Sequence, residues 1–113
     1  VKSIKMETKI EQTFYNLNNG SKMPKLGLGT YGMNTVDELY TAIVECGYRH
    51  IDTASMYKNE EVIGETIEKI FKETDITRDD LFVVTKLWGT HKKDIQGALK
   101  ESLLKLKLEY VDC

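Results

Sequence analysis

The chain has 113 residues, enough for one ordinary domain with a modest core. Its 16 basic residues nearly balance 18 acidic ones, which leaves no strong field to recruit nucleic acid or an anionic membrane. No apolar run is long enough to span a bilayer, and Cys46 and Cys113 lie far apart without CxxC or His-rich context. A disulfide framework and a metal site are both argued against, and a reducing cytoplasm suits the chain.

Residues 1–12 are polar and lysine-rich, lack the apolar core of a signal peptide, and are expected to be disordered. Residues 13–113 are expected to fold as one unit. Thr13 to Leu17, a turn through Asn18-Asn19-Gly20, and Ser21 to Pro24 read as a hairpin, since Asn-Gly is a strong turn signal. Lys25 to Thr30 alternates Leu26 and Leu28 with Gly27 and Gly29, a strand pattern in which glycines mark a close approach of backbone or ligand. Val36, Leu39, Tyr40, Ile43 and Val44 then predict a helix over Thr35 to Glu45, capped by Thr35 and stopped by Gly47.

Arg49 to Thr53 reads as the next strand. A second helix is expected from about Asn59 to Lys72, with Ile63, Ile67, Ile70 and Phe71 on one face and Glu60 and Glu61 at the positive end of its dipole. Thr77-Arg78-Asp79-Asp80 reads as a capped turn leading into Leu81 to Leu87, a strand apolar on both faces. Strands buried on both sides are the mark of parallel sheets covered by helices. A third helix is expected over Lys92 to Leu106, with Ile95, Leu99, Ser102, Leu103 and Leu106 turned inward and its lysines solvated. Glu109 to Cys113 looks like the start of a fourth strand. A hairpin followed by alternating strands and helices argues for a parallel sheet with right-handed crossovers.

The chemistry lies at the strand ends. Asp52 closes the strand after the first helix, Tyr57 lies in the loop beyond it, and Lys86 ends the next strand. In a barrel of alternating strands and helices, neighbouring parallel strands bring such positions together at the carboxyl face. Carbonyl reduction needs those types. Hydride delivery to a carbonyl carbon leaves negative charge on oxygen, and a phenol can quench it with a proton. A free phenol, with a pKa of roughly 10, donates poorly at neutral pH. An adjacent ammonium stabilises the phenolate, and a carboxylate keeps that ammonium charged and oriented.

Each residue also has a plain structural reading. Asp52 could cap the following helix, and Tyr57 could pack on the rim. Lys86 is the hardest to explain that way, because it interrupts an apolar strand. Trp88 reads equally as a wall of a substrate pocket or as an aromatic plug of the rim. His50 shares a face with Asp52 but lies deeper, as a histidine satisfied inside the sheet; His91 reads as a surface residue. Gly27-Leu28-Gly29-Thr30 lacks the third glycine and the downstream acid of a dinucleotide fingerprint.

Taken in order, Met23-Pro24-Lys25-Leu26-Gly27-Leu28-Gly29-Thr30-Tyr31, Gly47-Tyr48-Arg49-His50-Ile51-Asp52-Thr53-Ala54, Tyr57-Lys58-Asn59-Glu60, Thr85-Lys86-Leu87-Trp88 and Leu106-Lys107-Leu108-Glu109-Tyr110-Val111-Asp112 resemble the aldo-keto reductase superfamily. The resemblance implies the first half of a (β/α)8 TIM barrel: an N-terminal hairpin, strands 1–4 and helices 1–3. It implies NADPH-dependent reduction of aldehydes and ketones, with Asp52, Tyr57 and Lys86 catalytic. Thr30, Tyr31, Asp52 and Lys86 would face the cofactor, and Tyr31, Tyr57 and Trp88 a small carbonyl substrate. Tyr31 stands where the family often has Trp.

The family's catalytic His would fall beyond Cys113, as would the aromatic platform for the nicotinamide and the basic residues for the adenine-side phosphate. The chain as given is therefore expected to be truncated, aggregation-prone and inactive alone. Two other readings stand beside the reductase: a non-catalytic half barrel that binds a partner, completed by another half or by self-association, and a short product that weakly binds the nicotinamide end of the cofactor.

Overall fold

The computed structural model describes residues 9–113. Of the segment expected to be disordered, residues 1–8 lie outside the described residues. Within 9–12, the Ile10 N–H donates to the Cys46 carbonyl at 3.0 Å and the Gln12 amide to Gly47 at 2.6 Å.

The expected hairpin is formed by β1 (Phe14–Asn16) and β2 (Lys22–Pro24), antiparallel with Tyr15 opposite Met23. Its turn closes through Leu17 N–H to Ser21 O at 2.8 Å, with Gly20 at φ 84°, a conformation that favours glycine. The second sheet is parallel in the order β3 (Gly27–Gly29), β4 (His50–Asp52), β5 (Phe82–Val84). Gly29, Asp52 and Val84 share one level, so the three strands end together. Successive parallel strands in chain order, each pair joined by a helical connection, are the repeating unit of the expected (β/α)8 barrel.

The first helix departs from the expected single run. Thr35 caps it, accepting the Glu38 N–H at 3.3 Å, but α1 (Val36–Tyr40) gives way to a π-helical turn over Thr41–Glu45. The Cys46 N–H then donates to Thr41 O, and Gly47 stops the run at φ 92° with residues 9 and 10 packed against it. The second helix, α2 (Glu60–Glu73), buries Ile63, Ile67 and Ile70 as its spacing predicts. Each fully buried isoleucine contributes about 1.5–3 kcal/mol. With Leu39, Ile43, Ile51, Leu81, Val83 and Leu106 they make the core between sheet and helices.

Two expectations change near the C-terminus. The third helix, α3 (Ile95–Leu106), starts after a 3-10 turn at Gly89–Lys93, because the Asp94 side chain caps it by accepting the Gly97 N–H at 2.9 Å. Its inward face is Ala98, Ser102 and Leu106, while Ile95 and Leu99 are exposed. α2 and α3 cross closely where Gly64 meets the backbone of Lys105 and Leu106. The fourth strand is not formed over Glu109 to Cys113. Asp112 and Cys113 lie along β5 through Asp112 N–H to Val83 O at 2.9 Å and Thr85 N–H to Cys113 O at 3.0 Å. The Val83 N–H, however, donates to the Asp112 carboxylate at 2.8 Å, so a side chain takes the place a strand carbonyl would hold. Among the described residues no helix is long and apolar enough to cross a membrane.

Candidate active site

Asp52, Tyr57 and Lys86 converge at the carboxyl ends of β4 and β5. Their local sequences explain how. The Asp52 carbonyl accepts both the Thr30 N–H at 3.1 Å and the Thr30 hydroxyl at 2.9 Å, which pins the end of β4 to the loop after β3. The chain beyond β4 makes a 3-10 turn over Ser55–Tyr57 and ends it at Lys58, a non-glycine residue at φ 56°. A left-handed residue other than Gly costs about 1 kcal/mol, and here it reverses the chain so that Tyr57 stays on the rim while Asn59 returns to the interior. Asn59 is fully buried; its amide donates to the Thr30 and Met33 carbonyls at 2.6 and 3.0 Å and its oxygen accepts the Thr53 hydroxyl at 3.3 Å.

Lys86 lies two residues past the end of β5. Its ammonium donates to Asp52 Oδ1 at 2.5 Å and to the Thr53 carbonyl at 2.9 Å, and sits 5.3 Å from the Tyr57 ring centroid. Its own carbonyl accepts the Ser55 hydroxyl at 3.1 Å. Asp52 is thus an ion-pair partner rather than a helix cap. Partial burial works against the Lys86 charge, but the Asp52 hydrogen bond and charge, with smaller help from Tyr57, outweigh it and raise the Lys86 pKa above the ordinary lysine value. The pair remains open to solvent, with side chains 46% and 40% exposed, so as a source of stability it is worth less than its geometry suggests.

That shift has a sign. The pair's stabilisation is fully present below the ordinary lysine value of 10.5 and is lost as pH rises through the higher folded-state value. The urea-midpoint difference between the protein and Lys86→Met should be flat across about pH 6 to 9 and shrink only in stronger alkali. A difference that widens there would mean that the ammonium is not stabilised in the fold.

The remaining sequence candidates fall into place as follows. Tyr31 is 77% exposed and meets Tyr57 edge to face at 5.2 Å. Thr30 is fully buried, its hydroxyl engaged with Asp52. Trp88 is half exposed and lines a 370 Å³ cleft with Ser55, Met56, Lys58, Ala98 and Ser102, whose walls do not include Asp52, Tyr57 or Lys86. His50 is satisfied as expected, its Nδ1 at 3.0 Å from the Pro24 carbonyl and its ring on Phe82. His91, expected on the surface, is half-buried and accepts the Trp88 N–H. Among the described residues no cluster of His, Cys, Asp and Glu converges to hold a metal ion.

Glu60 has a role its sequence position did not disclose. Read as an acid at a helix start, it is 2% exposed and accepts the hydroxyls of Thr85 at 2.9 Å and Ser102 at 3.2 Å. Nothing short of the fold could place those hydroxyls, which lie 25 and 42 residues away.

The chain as a whole has close relatives. The profile of the Aldo/keto reductase family matches residues 16–113. The chain is 46% identical over 99 residues to the aldose reductase of Encephalitozoon cuniculi, covering 85% of this chain and 33% of that protein. It is 45% identical to the methylglyoxal reductase of Escherichia coli, covering 88% of this chain and 36% of that one. Among solved structures, an aldo-keto reductase complexed with NADPH superposes with a TM-score of 0.83 at 36% identity, covering 91% of this chain and 35% of its own. A Bombyx mori aldo-keto reductase in complex with NADP gives a TM-score of 0.78 at 39% identity, over 90% and 36% of the two chains. The chain spans about a third of the length of these relatives. With its residues 16–113 matched by that profile, this chain belongs to the aldo/keto reductase family.

Proposed function

We propose that this chain carries the proton-donating centre of an NADPH-dependent reductase that converts aldehydes and ketones to alcohols. The observation that carries the reading is the meeting of Asp52, Lys86 and Tyr57 on adjacent parallel strand ends, with the ammonium within hydrogen-bond distance of the carboxylate and over the phenol ring. Tyr57 gives its proton to the carbonyl oxygen as charge develops there, and the Lys86 ammonium stabilises the charge left on the phenol oxygen. Asp52 and the Thr53 carbonyl keep that ammonium aimed at the ring rather than at solvent. The hydride is the chemistry that a bound NADPH supplies.

The described residues fit the nicotinamide end of such a cofactor. A side-chain carbon built on Gly29 would meet nothing within 4 Å, so a flat ring has room beside Asp52, and the Tyr31 ring stands exposed at the same mouth. Thr30, Tyr31, Asp52 and Lys86 would border the cofactor, and Tyr31, Tyr57 and Trp88 the carbonyl substrate. Because relatives bear the names aldose reductase and methylglyoxal reductase, small aldehydes are the substrates proposed, and the cytoplasm is the compartment proposed.

The deciding experiment offers NADPH and a panel of aliphatic, aromatic and α-dicarbonyl aldehydes to the protein at its full natural length, since the chain as given is expected to be inactive alone. Oxidation of the cofactor that depends on the aldehyde, with deuterium from labelled NADPH found on the new alcohol carbon, is the expected result. Binding of NADPH without turnover of any member of the panel would overturn the reading.

A further inference from the structure

We propose that Glu60 is a positioning residue for Lys86, acting through the hydroxyl of Thr85; the inference rests on the reductase reading and adds to it how the ammonium is held. Glu60 opens α2 and is almost wholly out of water. A buried carboxylate is costly unless other groups replace its hydration. Among the described residues it forms no ion pair; Lys105, which borders the same cleft, is paired with Glu101. What replaces water is two hydroxyls, Thr85 on one oxygen and Ser102 on the other, together with the positive end of the α2 dipole and the nearby Lys105 charge.

The two hydroxyls differ in what they carry. Ser102 lies on α3 and anchors Glu60 to a neighbouring helix. Thr85 stands between the end of β5 and Lys86, and its N–H donates to the Cys113 carbonyl. Fixing the Thr85 side chain from behind, while Ser55 holds the Lys86 carbonyl, fixes the direction in which the lysine side chain leaves the backbone. That matters because the Lys86–Asp52 pair is half exposed, and a long lysine side chain loses much rotamer freedom when held. A weak, open ion pair sets its own geometry only loosely. The part-buried, charge-assisted bond from Thr85 to Glu60 is of the stronger kind. The next residue, Lys86, inherits its register from that bond.

Removing Glu60 itself would also disturb the α2–α3 contact, so the test cuts its two links one at a time. Thr85→Val replaces the hydroxyl by a methyl of similar shape, and Ser102→Ala removes the other hydroxyl from the same carboxylate. Thr85→Val should lower kcat at least tenfold with KM for the aldehyde changed less than twofold, and Thr85→Ser should restore it. In the same variant the amides of Thr53 and Ser55, which donate to the Val84 and Lys86 carbonyls, should exchange at least tenfold faster. Ser102→Ala should leave kcat within twofold and those two amides unchanged. Loss of kcat in both variants in proportion to their melting temperatures would overturn the proposal, as would unchanged Ser55 exchange in Thr85→Val. If the unaltered protein at its full natural length reduces no carbonyl, the reductase reading fails by itself, and the exchange comparison still decides whether Glu60 holds this strand end.

Discussion

Replacing Tyr57 by Phe should abolish carbonyl reduction while leaving the fold and NADPH binding nearly intact. The substitution removes one oxygen and nothing else from the rim. Both contacts that place the ring survive it: the edge-to-face meeting with Tyr31 at 5.2 Å and the Lys86 ammonium 5.3 Å from the centroid. A positioned proton donor is worth about 10²- to 10⁴-fold in rate, or about 3–5 kcal/mol of barrier, so kcat should fall by that factor. Asp52→Asn should cost less than this, because Lys86 keeps its bond to the Thr53 carbonyl and only the charge beside it is lost. Single-turnover rates with bound NADPH, alongside a titration of cofactor binding, separate the two effects. A Phe variant that keeps more than a tenth of the parent rate would show that the proton comes from another group, and Tyr57 would revert to rim packing.

The three converging residues were legible in the sequence for a physical reason. Lys86 follows a run, Leu81 to Val84, too apolar to tolerate a charge in mid-strand, and Asp52 closes the short strand that begins at Arg49. Parallel strands adjacent in the sheet then bring consecutive ends together, as the shared level of Asp52 and Val84 does. The residues that hold this constellation could not be read the same way. Thr30, Asn59, Glu60 and Thr85 are small or polar residues next to turns and helix starts, where a local capping role accounts for them fully. Asn59 directly precedes α2 yet makes no cap with its side chain; it spends its amide on Thr30 and Met33, 29 and 26 residues earlier.

The fold shows the same division. Hairpin, strand order and the isoleucine face of α2 follow from local turn signals and period, and each is present. The face of α3 was legible in part: Ser102 and Leu106 are buried as expected, but counting apolar residues favours Ile95 and Leu99, which are exposed, and passes over Ala98, which is buried. The break of the first helix into a π-helical turn leaves no trace in the spacing of Leu39 and Ile43, both of which remain buried. At the end of the given sequence Asp112 and Cys113 run along β5 without a regular ladder, and the Asp112 carboxylate accepts the Val83 N–H and holds Arg78 at 2.7 Å.

The crossing of α2 and α3 makes Gly64 the position most sensitive to an added methyl. On an exposed helix a Gly→Ala change stabilises by about 0.5–1 kcal/mol, because glycine loses more backbone freedom on folding. At Gly64 the new carbon would lie 2.2 Å from the Lys105 carbonyl oxygen, 2.8 Å from the Leu106 carbonyl carbon and 3.0 Å from its Cα. All three are backbone atoms, so no side-chain rotation relieves the contact; α3 itself must move away from α2. Leu106, fully buried in the core, and the Ser102–Glu60 bond would move with it. Overpacking of this kind costs about 1–3 kcal/mol when side chains can adjust and more when they cannot, which outweighs the propensity gain. Gly64→Ala should therefore destabilise the protein by about 2 kcal/mol or more, read as a lower urea midpoint. Glu65→Ala, one residue along on the solvent face, should leave the midpoint within about 0.5 kcal/mol of the parent. A Gly64→Ala protein as stable as the Glu65→Ala control would mean that the helices do not approach this closely. The route by which Glu60 reaches Ser102 would then have to be redrawn along with the crossing.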